Sequence, residues 1–315
     1  MADPAAFAAA WGRDALHATA SELPRPFDDL LDLDAVDELL SRRGLRTPFL
    51  RLAKDGVVVP SSAFTRSGGV GAEIADQVDD AAVARFFAEG ATIVLQALHR
   101  VWPPVMDFAH ALGAELGHPV QVNAYVTPPS SRGFAAHYDI HDVFVLQVSG
   151  EKRWVVHEPV LEAPLRTQPW TSNRAAVERA AESSPLLDVV LRPGDALYLP
   201  RGFVHAADAL GDVSAHLTVG IHVVTRYALL QALVALGDDE EGLRTSLPLH
   251  LDLADEDLVA REVAATVAAL RAHLDAVEPT EVGERVRETL ATAMRPAPVS
   301  PVRTLLAESG VPAAD

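Results

Sequence analysis

The sequence contains no cysteine and no long hydrophobic run among its 315 residues. Without cysteine there can be no disulfide framework, thiolate zinc site, iron–sulfur cluster or cysteine nucleophile. No stretch reaches the roughly 18 consecutive uncharged apolar residues of a membrane span. The N-terminus places Asp3 and Asp14 around a short alanine-rich run, whereas a secretory signal needs a basic start and a longer apolar centre. We therefore expect a cytoplasmic protein that does not bind a membrane.

Basic residues are also scarce, with 26 Lys and Arg against 44 Asp and Glu and a net charge of −18. Nucleic-acid binding draws most of its affinity from neutralising phosphates, so an acidic chain without a basic block is not expected to bind nucleic acid directly. A basic peptide or protein partner is compatible with this charge, although solubility explains it more simply. Only two lysines are present, Lys54 and Lys152, so a lysine beside a motif is informative.

The chain is 49% apolar, which suffices for a real core, and it divides into three regions. Residues 1–118 predict an N-terminal flank of helices and loops, with helices over 32–43, 81–99 and Pro103–Leu116. In residues 119–225, short runs rich in Val, Leu, Tyr and Trp alternate with turn residues, which indicates a barrel or sandwich. Its strands are expected at Val120–Thr127, 143–148, 153–156, 186–191, Ala196–Leu199 and 213–224. Residues 226–315 predict helices over 227–236, 257–274 and 281–294, then a proline-rich tail from Pro296.

Two motifs in the central region carry candidate metal ligands. His137 and Asp139 are two residues apart, so in a strand their side chains share one face. Alone, that spacing is a chance match. The second motif has the spacing G-x5-P-x-G-x2-H, which describes a turn, a short strand, a Pro/Gly bend and a histidine, and it resembles the second motif of the cupin superfamily. It is formed by Gly194, Pro200, Gly202 and His205, while Ala209 replaces the later Asn of the cupin pattern.

Together the motifs predict His137, Asp139 and His205 as the ligands of one metal ion. Two imidazoles and a carboxylate form the facial triad of non-haem iron(II) oxygenases, which leaves three coordination positions open. Those positions suit a chelating 2-oxo acid and O2. The alternative is that His205 is a core histidine and His137 a loop residue, which is the common state of a lone histidine; the combined pattern favours the metal.

A third motif supplies a cation for the co-substrate. Lys152 lies in the segment Gly-Glu-Lys-Arg-Trp that follows the 143–148 strand, and its ammonium could hold the far carboxylate of 2-oxoglutarate. By strand alternation Trp154 lies on the same face and could wall the pocket, whereas Arg153 faces the other way. The alternative is that Lys152 is a turn residue exposed to water.

These motifs resemble the JmjC-type 2-oxoglutarate oxygenases of the cupin-4 group, which includes ribosomal oxygenases that hydroxylate Arg or His side chains of ribosomal proteins. The resemblance covers about residues 30–270 and is most specific within 120–225. It rests on residues 137–147, 150–154 and 193–205, supported by 45–51, 123–129, 214–218 and 243–248.

The resemblance implies a mainly β core with α flanks, folded as a double-stranded β-helix (jelly-roll, cupin or JmjC-like) barrel followed by a C-terminal helical region. It implies that His137, Asp139 and His205 bind Fe(II) and that Lys152 binds 2-oxoglutarate. It also places polar groups at the cofactor end of the barrel, although each could equally be a hydrogen-bonded interior residue: Asn123, Ser214, His216 and Thr218. His141 is either a contact at the pocket entrance or a plain surface residue.

The implied activity is that of a 2-oxoglutarate-dependent dioxygenase, which uses O2 to hydroxylate a side chain of a protein or peptide. A homodimer is expected through an apolar helical stripe that could also pack on the barrel: Leu229, Leu230, Leu233 and Leu236. About 40 residues follow His273, too few for the winged-helix domain of ribosomal oxygenases, which leaves a ribosomal protein as substrate open. Oxygenation of a small molecule or peptide natural product, a non-oxygenase metal-binding cupin and an interaction module remain alternatives.

Overall fold

A computed structural model describes residues 3–54, 56–129, 131, 135–294, 298–302 and 304. The chain forms two compact units, Met1–Val223 and Val224–Asp315. The proline-rich tail predicted from Pro296 lies largely outside the described residues. No helix in the described ranges has the length and apolar character that crossing a membrane would require.

The first unit is built on one large antiparallel sheet, whose strands run in the order β1-β10-β8-β11-β7-β6-β2-β3, with β9 also paired to β8 and a separate β4–β5 pair. The strands are β1 (Leu16–Ala18), β2 (Leu50–Lys54), β3 (Val57–Val58), β4 (Thr65–Arg66), β5 (Gln77–Val78), β6 (Thr92–Leu95), β7 (Val120–Thr127), β8 (Asp142–Pro159), β9 (Leu187–Leu191), β10 (Ala196–Leu199) and β11 (Phe203–Ile221). Its helices are α1 (Pro4–Ala10), α2 (Leu33–Arg42), α3 (Asp80–Ala88), α4 (Pro103–Leu116) and α5 (Arg174–Ala181).

Two long bent strands, β8 and β11, close the sheet into a roll. The first half of β8 pairs with β10 and with the second half of β11, whereas its second half pairs with β9 and with the first half of β11. The turn predicted at Ser149-Gly150 is therefore a bend inside one strand. Gly150 has a φ of +62°, and a Cβ there would lie 2.2 Å from the carbonyl oxygen of Val213. Only glycine fits this close approach of two backbones.

The period of strand β7 separates the core from the interior of the roll. Val122, Ala124 and Val126 are buried in the apolar core, which also contains side chains of α2, α3 and α4. The alternate side chains therefore point to the opposite face, into the roll. Helix α4 begins with two prolines and ends at Gly117, whose φ is +67°, so the sequence sets both of its ends. The sheet is thus held by helices on one face while its other face is free to form a site.

The prediction of a helix over 81–99 is wrong in its second half. Helix α3 ends at Ala88, and Thr92–Leu95 forms the buried strand β6 between β2 and β7. The β-branched residues Thr92, Ile93 and Val94 favour a strand, and pairing on both edges satisfies the backbone. The N-terminal residues, expected to form helices and loops, therefore also extend the main sheet.

The second unit consists of helices α6 (Arg226–Ala235), α7 (Glu241–Arg244), α8 (Glu256–Ala276) and α9 (Pro279–Ala293). Helices α6, α8 and α9 confirm the three predicted in this region. Within the unit, the buried imidazole of His273 on α8 bonds through Nε2 to the carbonyl oxygen of Leu233 on α6, at 2.8 Å.

The bend at Gly150 makes a prediction about stability. Gly150→Ala should lower the free energy of unfolding by about 3 kcal/mol, because a left-handed φ costs an alanine about 1–2 kcal/mol and the clash with Val213 adds a further cost of about 1–3 kcal/mol. Gly117→Ala is the matched control, since Gly117 also has a positive φ but a Cβ there would meet nothing within 4 Å. Urea unfolding of both variants measures the difference, and an equal loss would contradict the steric explanation.

Candidate active site

The three predicted metal ligands lie together. One ligand atom from each of His137, Asp139 and His205 falls within 4.8 Å of the other two. The Nε2 atom of His205 is 3.7 Å from Oδ2 of Asp139, and the two imidazole rings have centroids 4.5 Å apart. Residues that are far apart in the sequence thus converge on one point.

Backbone hydrogen bonds hold the two ligand-bearing segments side by side. The amide of His137 donates to the carbonyl of His205 at 3.1 Å, and the amide of His205 donates back at 2.8 Å. The amide of Gly202 donates to the carbonyl of Asp139 at 3.0 Å. Gly202 has a φ of +94°, and a Cβ there would lie 2.3 Å from the carbonyl oxygen of Leu161. The glycine of the cupin-like motif is therefore required at the point where the segments cross.

The donor set fits a divalent metal ion. The Nδ1 atoms of His137 and His205 lie 2.8 Å from the carbonyl of Ala135 and 3.0 Å from the carbonyl of Phe203, respectively. When each Nδ1–H donates to its carbonyl, the ring lone pair lies on Nε2, which is the atom that would bind a metal.

The protonation states agree with metal binding. Burial, reinforced by His137, lowers the pKa of His205 to about 4, so its imidazole is neutral at neutral pH. Burial by itself would raise the pKa of Asp139, but the imidazoles of His141, His137 and His205 outweigh it and keep that pKa below its usual value. Neutral imidazole and carboxylate are the forms that bind Fe(II).

Tyr138, between two of the ligands, fixes their direction. Its side chain is buried against Val177 and Val204. Its hydroxyl donates to the carbonyl of Gln168 at 3.0 Å and accepts from Nδ2 of Asn173 at 2.9 Å. This anchor fixes the segment between Asp139 and His137, which forms an isolated bridge with His205.

The triad borders a cavity of about 100 Å³ inside the roll. The cavity is lined by residues of β6, β7, β8 and β11 and of the segment before β8. These residues are Thr92, Asn123, Tyr125, His137, Asp139, His141, Val143, Lys152, Trp154, His205, Ala206, Ala207, His216 and Thr218.

Lys152 is a buried cation in this cavity. Its side chain is 3% exposed, its Nζ donates to Oγ1 of Thr127 at 3.2 Å, and it forms no ion pair with a described residue. Burial lowers its pKa to about 8, against a weaker opposing effect of Asp208. A buried ammonium without a carboxylate partner is unfavourable, so an anionic ligand would relieve it.

The alternation predicted around Lys152 is confirmed. Trp154 lines the cavity, with its ring centroid 5.9 Å from that of His205 and 5.4 Å from that of His216. Arg153 faces outward and binds both carboxylate oxygens of Asp188, at 2.7 and 2.6 Å.

The four other residues expected at the cofactor end share the inward face, but only three of the four line the cavity. Asn123 does so while its Oδ1 accepts from the amide of Ala97 at 2.9 Å. His216 stacks on Tyr125, and its burial keeps its pKa well below the usual value. Thr218 also lines the cavity. Ser214 is not among the described lining residues; it is buried, and its Oγ accepts from Nε2 of Gln147 at 2.9 Å.

His141 lies on the cavity wall rather than on the plain surface. Its Nε2 is 3.3 Å from Nε2 of Gln121, and its ring meets that of His222 edge-on with centroids 5.4 Å apart. Of the two expectations for His141, a contact at the pocket entrance or a plain surface residue, its position on the cavity wall favours the first.

Among the residues of the cavity region that sequence reasoning missed are Tyr125 and Thr127. Both lie on the face of β7 that carries Asn123, as Tyr125 opposes His216 and Thr127 opposes Ser214 in the pairing with β11. Extending the two-residue period from Asn123 along the predicted strand would have found them.

Comparisons with known proteins give a family match and several similar proteins. Residues 105–229 match the family model of the JmjC domain. Ribosomal oxygenase 1 of Gallus gallus is 36% identical over 184 residues, which cover 58% of this chain and 28% of that protein. The bifunctional lysine-specific demethylase and histidyl-hydroxylase NO66 of Drosophila erecta is 36% identical over 179 residues, covering 52% of this chain and 26% of that protein. The chain thus spans about a quarter of the length of these relatives.

Solved structures confirm the predicted fold class. The X-ray structure of E. coli ycfD superposes with a TM-score of 0.59 at 17% identity, covering 98% of this chain and 79% of that one. The structure of the Escherichia coli ribosomal oxygenase YcfD with cobalt and 2-oxoglutarate gives a TM-score of 0.51 at 18% identity, covering 90% and 70%. The family match thus shows that residues 105–229 are similar to the JmjC domain, and the solved structures show a shared fold.

Proposed function

We propose that this protein is an Fe(II)- and 2-oxoglutarate-dependent dioxygenase that hydroxylates a side chain of a protein or peptide. The observation that carries the proposal is the pairing, within one cavity, of a two-histidine, one-carboxylate cluster with the buried ammonium of Lys152. A metal-binding cupin of another class has no need for that cation. The structure of the Escherichia coli ribosomal oxygenase YcfD contains cobalt and 2-oxoglutarate, which supports a divalent metal ion and 2-oxoglutarate as the bound groups here.

Each residue has a separate task in the proposed reaction. His137, Asp139 and His205 would hold the iron, which when bound supplies the oxidation of 2-oxoglutarate by O2. Lys152, kept in place by Thr127, would neutralise the far carboxylate of 2-oxoglutarate. Trp154 and the His216–Tyr125 stack wall the cavity and keep water from it, which strengthens these charge interactions. Asn123 and Thr218 provide polar contacts at the cofactor end.

The proposed substrate is an Arg or His side chain of a ribosomal protein. The names of the chicken and Drosophila relatives, a ribosomal oxygenase and a histidyl-hydroxylase, support this class, and the net charge of −18 suits a basic partner.

The homodimer stays a prediction; two residues of its apolar helical stripe, Leu229 and Leu230, are 43% and 49% exposed. The cytoplasmic location also stays a prediction.

Mass spectrometry tests the activity. Ribosomal-protein peptides that contain Arg or His should gain one oxygen atom when incubated with the protein, Fe(II), 2-oxoglutarate and air, and should gain none when 2-oxoglutarate is left out. Succinate should form in step with the modified peptide. Absence of both products with iron-loaded protein would overturn the proposal, whereas succinate without modified peptide would reject this substrate class alone.

The proposed metal ligands make a prediction about metal affinity. His205→Ala should weaken Co(II) binding at least about 100-fold and abolish succinate formation, since it removes a ligand from a three-residue site. His250→Ala is the control, because His250 is exposed and lies in the second unit. Visible absorption during Co(II) titration gives the affinity. Unchanged cobalt affinity in His205→Ala would show that the triad is not the metal site.

The two lysines of the chain allow a matched comparison. Lys152→Met should weaken 2-oxoglutarate binding by about 10- to 100-fold, the value of a charge-assisted hydrogen bond, and leave cobalt affinity unchanged. Lys54→Met should change neither, because Lys54 is 3.6 Å from Glu89 in a surface pair. Calorimetry without oxygen, on Mn(II)-loaded protein, measures the affinity. Equal binding by the two variants would remove Lys152 from the co-substrate site.

The depressed pKa of Lys152, about 8, predicts a pH dependence. The ammonium is protonated below this pKa and loses its proton as the pH rises through it, so 2-oxoglutarate should bind about tenfold more weakly at pH 9 than at pH 7. The pKa of His205, about 4, lies outside that range. The same titration of Lys152→Met should be flat between pH 7 and pH 9. A parallel decline in the variant would assign the effect to another group.

A further inference from the structure

A completely buried carboxylate follows one of the proposed metal ligands by three residues in the sequence. Asp142 follows Asp139 by three residues, begins strand β8 and is completely buried. Its Oδ2 accepts from the hydroxyl of Tyr198 at 2.5 Å. Its Oδ1 accepts from the backbone amide of Arg201 at 3.1 Å and from Nη1 of Arg201 at 3.4 Å. The carboxylate therefore joins the segment that carries His137 and Asp139 to the segment that leads to His205.

These bonds begin where the pairing of β8 with β10 ends. Strands β8 and β10 pair up to Val143 and Leu199, while Asp142 still pairs with Ile221 of β11. Asp142 extends the connection to Arg201, directly before Gly202, whose amide bonds to the carbonyl of Asp139. The backbone pair of His137 and His205 follows. Asp142 is thus the first in a row of cross-links, each of which fixes the distance between the two ligand-bearing segments.

The surroundings bury the Tyr198 hydroxyl and keep it protonated. Burial, followed by the charge of Asp142, raises the pKa of Tyr198 far above its usual value, so its hydroxyl remains a donor. That hydroxyl also accepts from the amide of Gly12 at 2.9 Å, and Trp11 stacks on the ring with centroids 5.9 Å apart. A buried carboxylate with these donors is held rigidly, because any shift would leave the charge unpaired.

We infer that Asp142 is a positioning residue of the metal centre, setting the spacing of Asp139 and His205 through Tyr198 and Arg201. The inference rests on the proposed metal-dependent function. It assigns no contact between Asp142 and the metal, since its carboxylate oxygens are already bonded to Tyr198 and Arg201.

The test is metal affinity in Asp142→Asn. The amide keeps the shape of the side chain but removes the charge and one of the two acceptor oxygens that bind Tyr198 and Arg201, so Co(II) should bind about tenfold more weakly, with a changed visible spectrum. Asp188→Asn, the same change at the exposed pair with Arg153, should leave Co(II) binding unchanged. Thermal unfolding of the metal-free proteins is measured in parallel. A lower melting temperature with unchanged cobalt affinity and spectrum would overturn the inference, because a merely structural residue gives that result.

Tyr198→Phe provides the second variant. It removes one hydrogen bond to Asp142 and keeps the ring, so the cobalt affinity should fall by about threefold. It decides the question if Asp142→Asn does not fold, and unchanged affinity would then reject the role. Wild-type protein that binds no cobalt would instead refute the proposed function itself, so the two failures are distinguishable.

Discussion

The reciprocal backbone pair between His137 and His205 is the constraint on which the site depends. Two hydrogen bonds pair the backbone of His137 directly with that of His205, which lies 68 residues later in the sequence. The side chains of the metal cluster then point the same way. Tyr138 holds the first segment from behind, while Gly202 lets the second pass close to Leu161. The ligand geometry is therefore set by main-chain hydrogen bonds, before any metal contributes.

The cavity beyond the triad combines two opposite environments. Apolar and aromatic side chains surround it, yet an ammonium and several hydroxyl and amide groups face into it. Such a site favours a small organic anion over water, since the low dielectric that penalises the bare ammonium also strengthens its pairing with a carboxylate. The same strand alternation places Arg153 outside, where its charge is paired with Asp188.

Much of this was readable from the sequence, and the exceptions have physical causes. The strand Val120–Thr127 and helix Pro103–Leu116 have clear periods and end signals, and the structure reproduces both. The triad could be predicted because its spacing is local within each motif. Strand β6 was hidden, since a run of four apolar or β-branched residues behind a helix has no period of its own and its state depends on its partner strands. The network of Asp142, Tyr198 and Arg201 was equally hidden, because it connects residues through space.

The long strands β8 and β11 also bear on how the chain folds. Each contributes to both halves of the roll, and residues as far apart as Asp142 and Ile221 pair directly. Contacts of such sequence separation carry a large loop-closure entropy and form late in folding. His137, Asp139 and His205 therefore come together when the topology is complete, and a nascent chain cannot assemble this cluster until nearly the whole first unit has been synthesised. Assembly of the centre is in this way coupled to completion of the barrel.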